Sequence, residues 1–309
     1  MGSSAVIALL AAAIVAGTSI LYAALGELIT ERSGILNLGV EGMMLVGAVL
    51  GFIFTSNTGN HWYGLLAAMV GGALMALIHA FISITLRGNQ VVSGLALTMF
   101  GTGISGFLGK SYQGMPIVDP FRPVVIPFLG DIPVLGPIFF RHDVLVYISL
   151  LLAFVLWYIL FRTHWGLSIR AVGENPAAAD AVGINVSRVR YLCTILGGIL
   201  AGLGGAYISL AYAPSWQENM TAGRGWIAVA LVIFALWNPL RGILGSYLFG
   251  GIEALTFRLQ TAGISISSFF LAMLPYLLTI LVLVLVTIRL RQEAGAPAAL
   301  GVAYDREER

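Results

Sequence analysis

The stretch RTHWGLSIRAVGENPAAADAVGINVSRVR, residues 162–190, decides the fold: it is the long polar interruption in the second half of a chain that otherwise reads as hydrocarbon-soluble helices. Within it, Asn175 can cap free backbone N–H groups, and Pro176 has a preset φ and no N–H to waste, so the pair marks a helix start. Gly183 marks the stop. The run from Ala177 to Val182 makes about two turns, roughly 10 Å at 1.5 Å per residue. A helix so short is marginal alone in water, so it leans either on its own membrane domain or on a partner protein.

Apolar segments flank this loop on both sides, and the rest of the chain repeats the pattern. Of 309 residues, 59% are hydrophobic and only 10% charged, with a mean hydropathy of +0.94, whereas a water-soluble domain is usually about 25% charged. The chain is therefore an all-α polytopic membrane protein. Its 38 glycines suit a bilayer, where small residues let helix backbones approach. The lone cysteine, Cys193, excludes an internal disulfide and a cysteine metal cage. His61, His79, His142 and His164 fall in separate segments without ligand spacing, so no metal site is expected. No Lys or Arg precedes Arg32, and the first segment reads as a retained membrane helix, not a signal peptide. The net charge of +2 says little about partners, and nucleic acid is not expected among them.

About 20 apolar residues cross a ~30 Å hydrocarbon core. About nine spans result, with eight to ten as the range: 5–28, 35–56, 63–86, 91–109, 143–161, 191–212, 225–237, 241–258 and 268–288. Asn238-Pro239 splits one apolar stretch into the seventh and eighth, which read as a tight hairpin or as partly re-entrant segments. Placing the C-terminus inside puts eleven of the sixteen basic residues on the cytoplasmic face, which favours N-terminus out and C-terminus in. Residues 1–291 form the transmembrane domain, with 162–190 as its cytoplasmic loop. The external loop, 110–142, holds six of the eleven prolines and reads as extended or turn structure packed on the membrane domain. The tail, 292–309, reads as a disordered cytoplasmic segment. A weak echo between HAFISITLRGNQ (79–90) and EALTFRLQ (253–260) hints at an inverted repeat.

Asn37 and Glu41 are four apart and share a helix face, with Gly34, Gly39 and Gly42 around them. An ionisable group in a spanning segment suggests function; a brace with Arg32 or Arg87 and a solute contact both fit Glu41. Asn89 and Gln90 read as caps of the fourth segment, whereas Ser93 and Thr98 lie deeper and could face a polar pathway. Trp226, after Gly223-Arg224-Gly225, reads as an interfacial belt residue or as a platform for a flat ring. The phosphate-loop look-alike at 104–111 has Ile104 in the first glycine position and ends an apolar helix, so it is rejected. No catalytic constellation is visible, and any ATP chemistry belongs to another subunit.

Three phrases resemble one family: GELITERSGILNLGVEGM (26–43), RAVGENPAAA (170–179) with Gly183-Ile184, and GRGWIAVA (223–230). They are similar to the permease subunits of bacterial ABC importers, in the nucleoside branch related to ribose-type sugar and branched-chain amino acid permeases. The resemblance implies a multi-pass protein of the bacterial cytoplasmic membrane that is not itself an enzyme and holds no cofactor. It implies a separate ATPase that binds ATP and Mg, a second permease that is a longer paralogue, and an extracytoplasmic solute-binding protein. Arg170, Glu174, Asn175, Pro176, Ala178, Ala181 and Gly183 would form the coupling element. Asn37, Glu41, Ser93, Thr98 and Trp226 would contribute to the pathway for nucleosides. A ribose-type monosaccharide is the alternative solute, and a self-contained secondary transporter, using Glu27, Glu41 and Glu253, the alternative class.

Overall fold

The computed structural model describes residues 3–261, 268–289 and 295–306. Long helices dominate it: α1 Ser3–Arg32, α2 Val40–Thr58, α3 His61–Ala80 continued by a π-helical turn Phe81–Thr85, and α4 Gln90–Gly109. After the 110–142 loop come α6 Val144–Arg162 and α9 Val186–Tyr207, the latter also ending in a π-helical turn, Ile208–Tyr212. The short helices are α5 Leu135–Phe139, α7 His164–Glu174, α8 Pro176–Ala181 and α10 Arg224–Phe234; α11 Pro239–Thr261 and α12 Ser268–Arg289 follow.

The helix starts are written locally. Asn60, Asn89, Asp143, Thr163, Asn175 and Asn185 each precede a helix, and each side-chain oxygen accepts a first-turn N–H. Such a cap satisfies a donor that the helix itself cannot. Asp143 is the most enclosed of these outside a spanning segment, and burial pushes its carboxyl above the usual carboxylate range.

Helix α9 occupies the centre, packed by α1, α2 and α3. Glycine makes this possible: a Cβ on Gly198 would strike Gly72, and one on Gly202 would strike Ala68. With little hydrophobic drive between helices in lipid, such backbone approach supplies the van der Waals contact.

Of the nine expected spans, the seventh is the one that the structure shortens. Six helices among the described residues are long and apolar enough to cross a membrane: α1 to α4, α6 and α9 with their extensions. Helices α11 and α12, at 23 and 22 residues, have the length. The expected seventh span does not: α10 has 11 residues, roughly 16 Å at 1.5 Å per residue. It stops because Leu236 and Trp237 both take left-handed backbone, φ 53° and 52°, a strained choice for bulky residues.

The 110–142 loop holds a two-residue antiparallel pair, β1 Val124–Val125 with β2 Arg141–His142, and α5. Ile117 and Phe121 are buried, and their N–H groups donate to Pro214 and Leu210 at 2.9 and 3.1 Å.

The tail departs from the expected disorder. Residues 295–306 cross the 162–190 loop and the α1–α2 turn and pack there: Ala299 N donates to Gly173 O at 2.9 Å and Gly301 N to Gly34 O at 3.1 Å. Small residues read as a coil signal, yet they are also what lets one backbone lie against another.

Candidate functional site

The turn between α1 and α2 gathers most of the polar side chains singled out in the sequence. Asn37 Oδ1 accepts Gly39 N at 2.9 Å, and Asn37 N donates to Glu27 Oε1 at 3.0 Å. Both residues are buried. Asn37 therefore shapes the start of α2 through its side-chain oxygen and ties the turn to α1 through its backbone N–H.

Glu41, in the first turn of α2, spends its carboxylate on a different helix. Oε1 accepts from Thr221 Oγ1 at 2.5 Å and from Gly223 N at 2.8 Å, while Oε2 accepts Gly225 N at 2.6 Å. These N–H groups belong to the start of α10, whose free donors and positive dipole end suit an anion. Neither Arg32 nor Arg87 is its hydrogen-bond partner. The contact requires glycine at 225, because a Cβ there would sit 2.6 Å from the Glu41 Cα.

Ser93 and Thr98 lie on the face of α4 turned toward the same turn. Ser93 Oγ pairs with His79 Nδ1 at 3.0 Å, His79 Nε2 pairs with Leu36 O at 3.1 Å, and Thr98 Oγ1 donates to Leu38 O at 2.9 Å. His79 is thus a bolt through α3, α4 and the turn, a role that an isolated histidine in an apolar run did not announce. Gln90 Oε1 accepts Leu36 N at 2.7 Å, while Asn89 caps α4 through Val92 N. Three of the five expected pathway residues, Asn37, Ser93 and Thr98, therefore converge on one hydrogen-bonded knot around residues 36–39, while Glu41, the fourth, reaches from beside it to α10. Trp226, the fifth, sits half-buried on α10 beside Gly225.

A second polar cluster lies at α10 to α12. Arg224 opens α10 with a cation where the helix dipole disfavours one, and the rest of the cluster offsets it. Its guanidinium forms an ion pair with Glu253 on α11 and stacks 5.0 Å from the Tyr212 ring centre, and Tyr212 Oη donates to Glu253 Oε1 at 3.0 Å. Tyr212 ends the π-helical turn of α9, a local widening of the helix often found at functional positions. Beside this cluster is a cavity of about 270 Å³ lined by Arg224, Glu253, Thr256, Phe257, Gln260 and Tyr276 among others. Arg224 and Glu253 stand 29 residues apart in the sequence, and only the fold joins them.

At the other end of α10, Trp237 Nε1 donates to Glu31 Oε2 at 2.6 Å and Arg32 Nε donates to Trp237 O at 3.2 Å. Helix α10 is therefore gripped at its start by α2 and at its finish by the end of α1.

The loop at 162–190 folds as α7 and α8. Asn175 caps α8 through Ala178 N at 3.0 Å, Pro176 takes the first turn, and Gly183 leaves it at φ 89°. Ala179 faces inward onto Val172 and Val186, while Ala177, Ala178, Ala181 and Val182 face out. Val182 is 77% exposed. Arg170 stacks 5.4 Å from the Phe161 ring centre, and Glu174 accepts Ala298 N at 3.3 Å.

Comparison with known proteins places this arrangement. The family described as branched-chain amino acid transport system / permease component matches residues 9–291. The chain is 43% identical to Haloferax volcanii TsgC13, provisionally named a glucose ABC transporter permease, over 97% of this chain and 98% of that one. It is 39% identical to the guanosine ABC transporter permease NupQ of Bacillus subtilis, over 96% of each chain. It is 37% identical to the nucleoside ABC transporter permease NupC of Lactococcus lactis, over 93% of each. Among solved structures, an inward-facing ABC transporter, provisionally of metal-chelate type, shares the fold with a TM-score of 0.50 at 13% identity, over 89% of this chain and 84% of the other.

Proposed function

This chain belongs to the branched-chain amino acid transport system / permease component family, as an ABC transporter permease of the cytoplasmic membrane, and from that premise we propose that it carries nucleosides into the cell. The near full-length similarity to two permeases named for guanosine and nucleoside transport supports this solute class above all. The α10–α12 cavity agrees with it: Phe257 and Tyr276 offer ring faces to a planar base, and Gln260, Thr256 and the Arg224–Glu253 pair offer hydrogen bonds to a ribose.

Energy comes from a separate ATPase that binds ATP and Mg, and α8 presents its outward alanine face to it. A bound ATPase pushes on α8; α8 is continuous with α7 and α9, and the α1–α2 turn beside them leads through Glu41 to α10. Closure of the ATPase thereby shifts the balance between inward- and outward-open forms of the pathway. A second permease completes the pathway, and a solute-binding protein delivers to the external loop. The N-terminus lies outside and the C-terminus inside in this reading, which puts α8 on the ATPase side.

A monosaccharide is the second reading, favoured by the 43% identity to TsgC13. Uptake by the complete transporter in proteoliposomes, driven by ATP, separates the two. Guanosine accumulation that excess glucose leaves unchanged is the expected result; glucose accumulation without guanosine uptake overturns it.

A further inference from the structure

The tail does more than cover the cytoplasmic turns; it fastens them to one another. Tyr304 Oη donates to Asp180 Oδ2 at 3.1 Å, and Arg306 Nε lies 3.0 Å from the same oxygen. The Tyr304 ring packs on the cluster of Val172, Ala179 and Val186 that supports the inner side of α8. Upstream, Ala298 N reaches Glu174, Ala299 N reaches Gly173, and Gly301 N reaches Gly34 in the α1–α2 turn. Arg190, buried at the start of α9, donates from Nη1 to Val302 O at 3.2 Å and from Nε to Ser33 O at 3.3 Å. Asp305 forms an ion pair with Arg87 at the α3–α4 turn.

We infer that residues 297–306 are a positioning strap which holds the coupling helix α8 in register with the α1–α2 turn, with Asp180 as the residue through which the strap grips α8. The inference rests on α8 being the ATPase contact. Asp180 is well suited: it is the carboxylate of α8, its side chain is only 13% exposed, and it faces away from the outward alanines. Without the strap, α8 keeps its own cap at Asn175 but loses its tie to Gly34, so a push on α8 is absorbed as local motion.

The test uses the complete transporter in nanodiscs, with guanosine and glucose as probe solutes, and three variants: a stop after residue 296, Asp180→Asn with Tyr304→Phe, and Ala178→Arg on the outward face. Hydrogen exchange across residues 171–184, ATPase retention on purification, and solute moved per ATP are read for each. The truncation and the double variant are expected to retain the ATPase, to speed exchange in 171–184, and to lower solute moved per ATP at least about fivefold, the lower end of ordinary coupling factors. Ala178→Arg is expected to release the ATPase. Retention by Ala178→Arg removes the coupling role of α8 and the strap inference with it. Release by Ala178→Arg, together with unchanged exchange and unchanged stoichiometry in the strap variants, removes the strap inference alone.

Discussion

Replacing Glu41 with Gln tests whether this carboxylate is a clamp on α10 or a contact for solute. Glutamine keeps the size and one acceptor oxygen, so the bonds from Thr221 and Gly223 can persist. Its amide NH₂ cannot accept Gly225 N, whose present bond measures 2.6 Å. A buried N–H left without a partner costs about 1–3 kcal/mol. Loss of the anion at a helix start costs roughly a further 0.5–2 kcal/mol in partly buried geometry. The sum, roughly 1.5–5 kcal/mol, changes the ratio of docked to undocked α10 by roughly 10- to 4,000-fold. The assay is hydrogen exchange of residues 220–230 in the purified transporter, run beside thermal unfolding and an uptake titration. Exchange is expected to accelerate and the unfolding midpoint to fall by several degrees. Unchanged exchange and midpoint with an altered KM for solute would refute the clamp and assign Glu41 to the pathway.

Gly225→Ala places a methyl group on the Glu41 backbone, and overpacking of this kind costs about 1–3 kcal/mol; a lower unfolding midpoint than wild type is the expected observation. Arg224→Ala leaves Glu253 facing a low-dielectric cluster without its cation, a loss of about 3–5 kcal/mol where such a pair is buried, and the doubly neutral Arg224→Met, Glu253→Gln should recover much of it. Thermal midpoints for the two check this, and equal loss in both counts against the pair. Asp143, held above the ordinary carboxylate range by burial, binds its proton more tightly folded than unfolded. Stability due to this group therefore rises as pH falls through its folded value toward the unfolded one, and Asp143→Asn, which keeps the acceptor for Leu145 and Val146, should flatten that slope in a pH series of unfolding curves.

What could be read in the sequence was local. Asn175-Pro176 and Gly183 announced α8, Asn89 announced α4, and the apolar runs announced where helices lie, because caps and hydropathy act over a few residues. Glu41 could be flagged as costly in a membrane, but its partners lie near position 225, and no pattern along the chain joins positions 184 residues apart. The apolar run at 225–237 could not reveal its early end, since Leu236 and Trp237 take left-handed backbone only because Glu31 and Arg32 hold that corner. His79 was hidden for the same reason: its partners Ser93 and Leu36 come from two other elements. The tail was misread because composition describes what a segment would do in water, and this one lies against Gly34 and Gly173, where small residues are an asset.

The grip on Asp180 also imposes an order on biosynthesis. Tyr304 follows Asp180 by 124 residues, roughly 6–25 s of synthesis at 5–20 residues per second. Throughout that interval α8 is already made but unstrapped. A chain cut before residue 297, by a premature stop or by proteolysis, lacks the means to hold α8, so α8 is fastened only after residues 297–306 have been made and have returned to the α1–α2 turn.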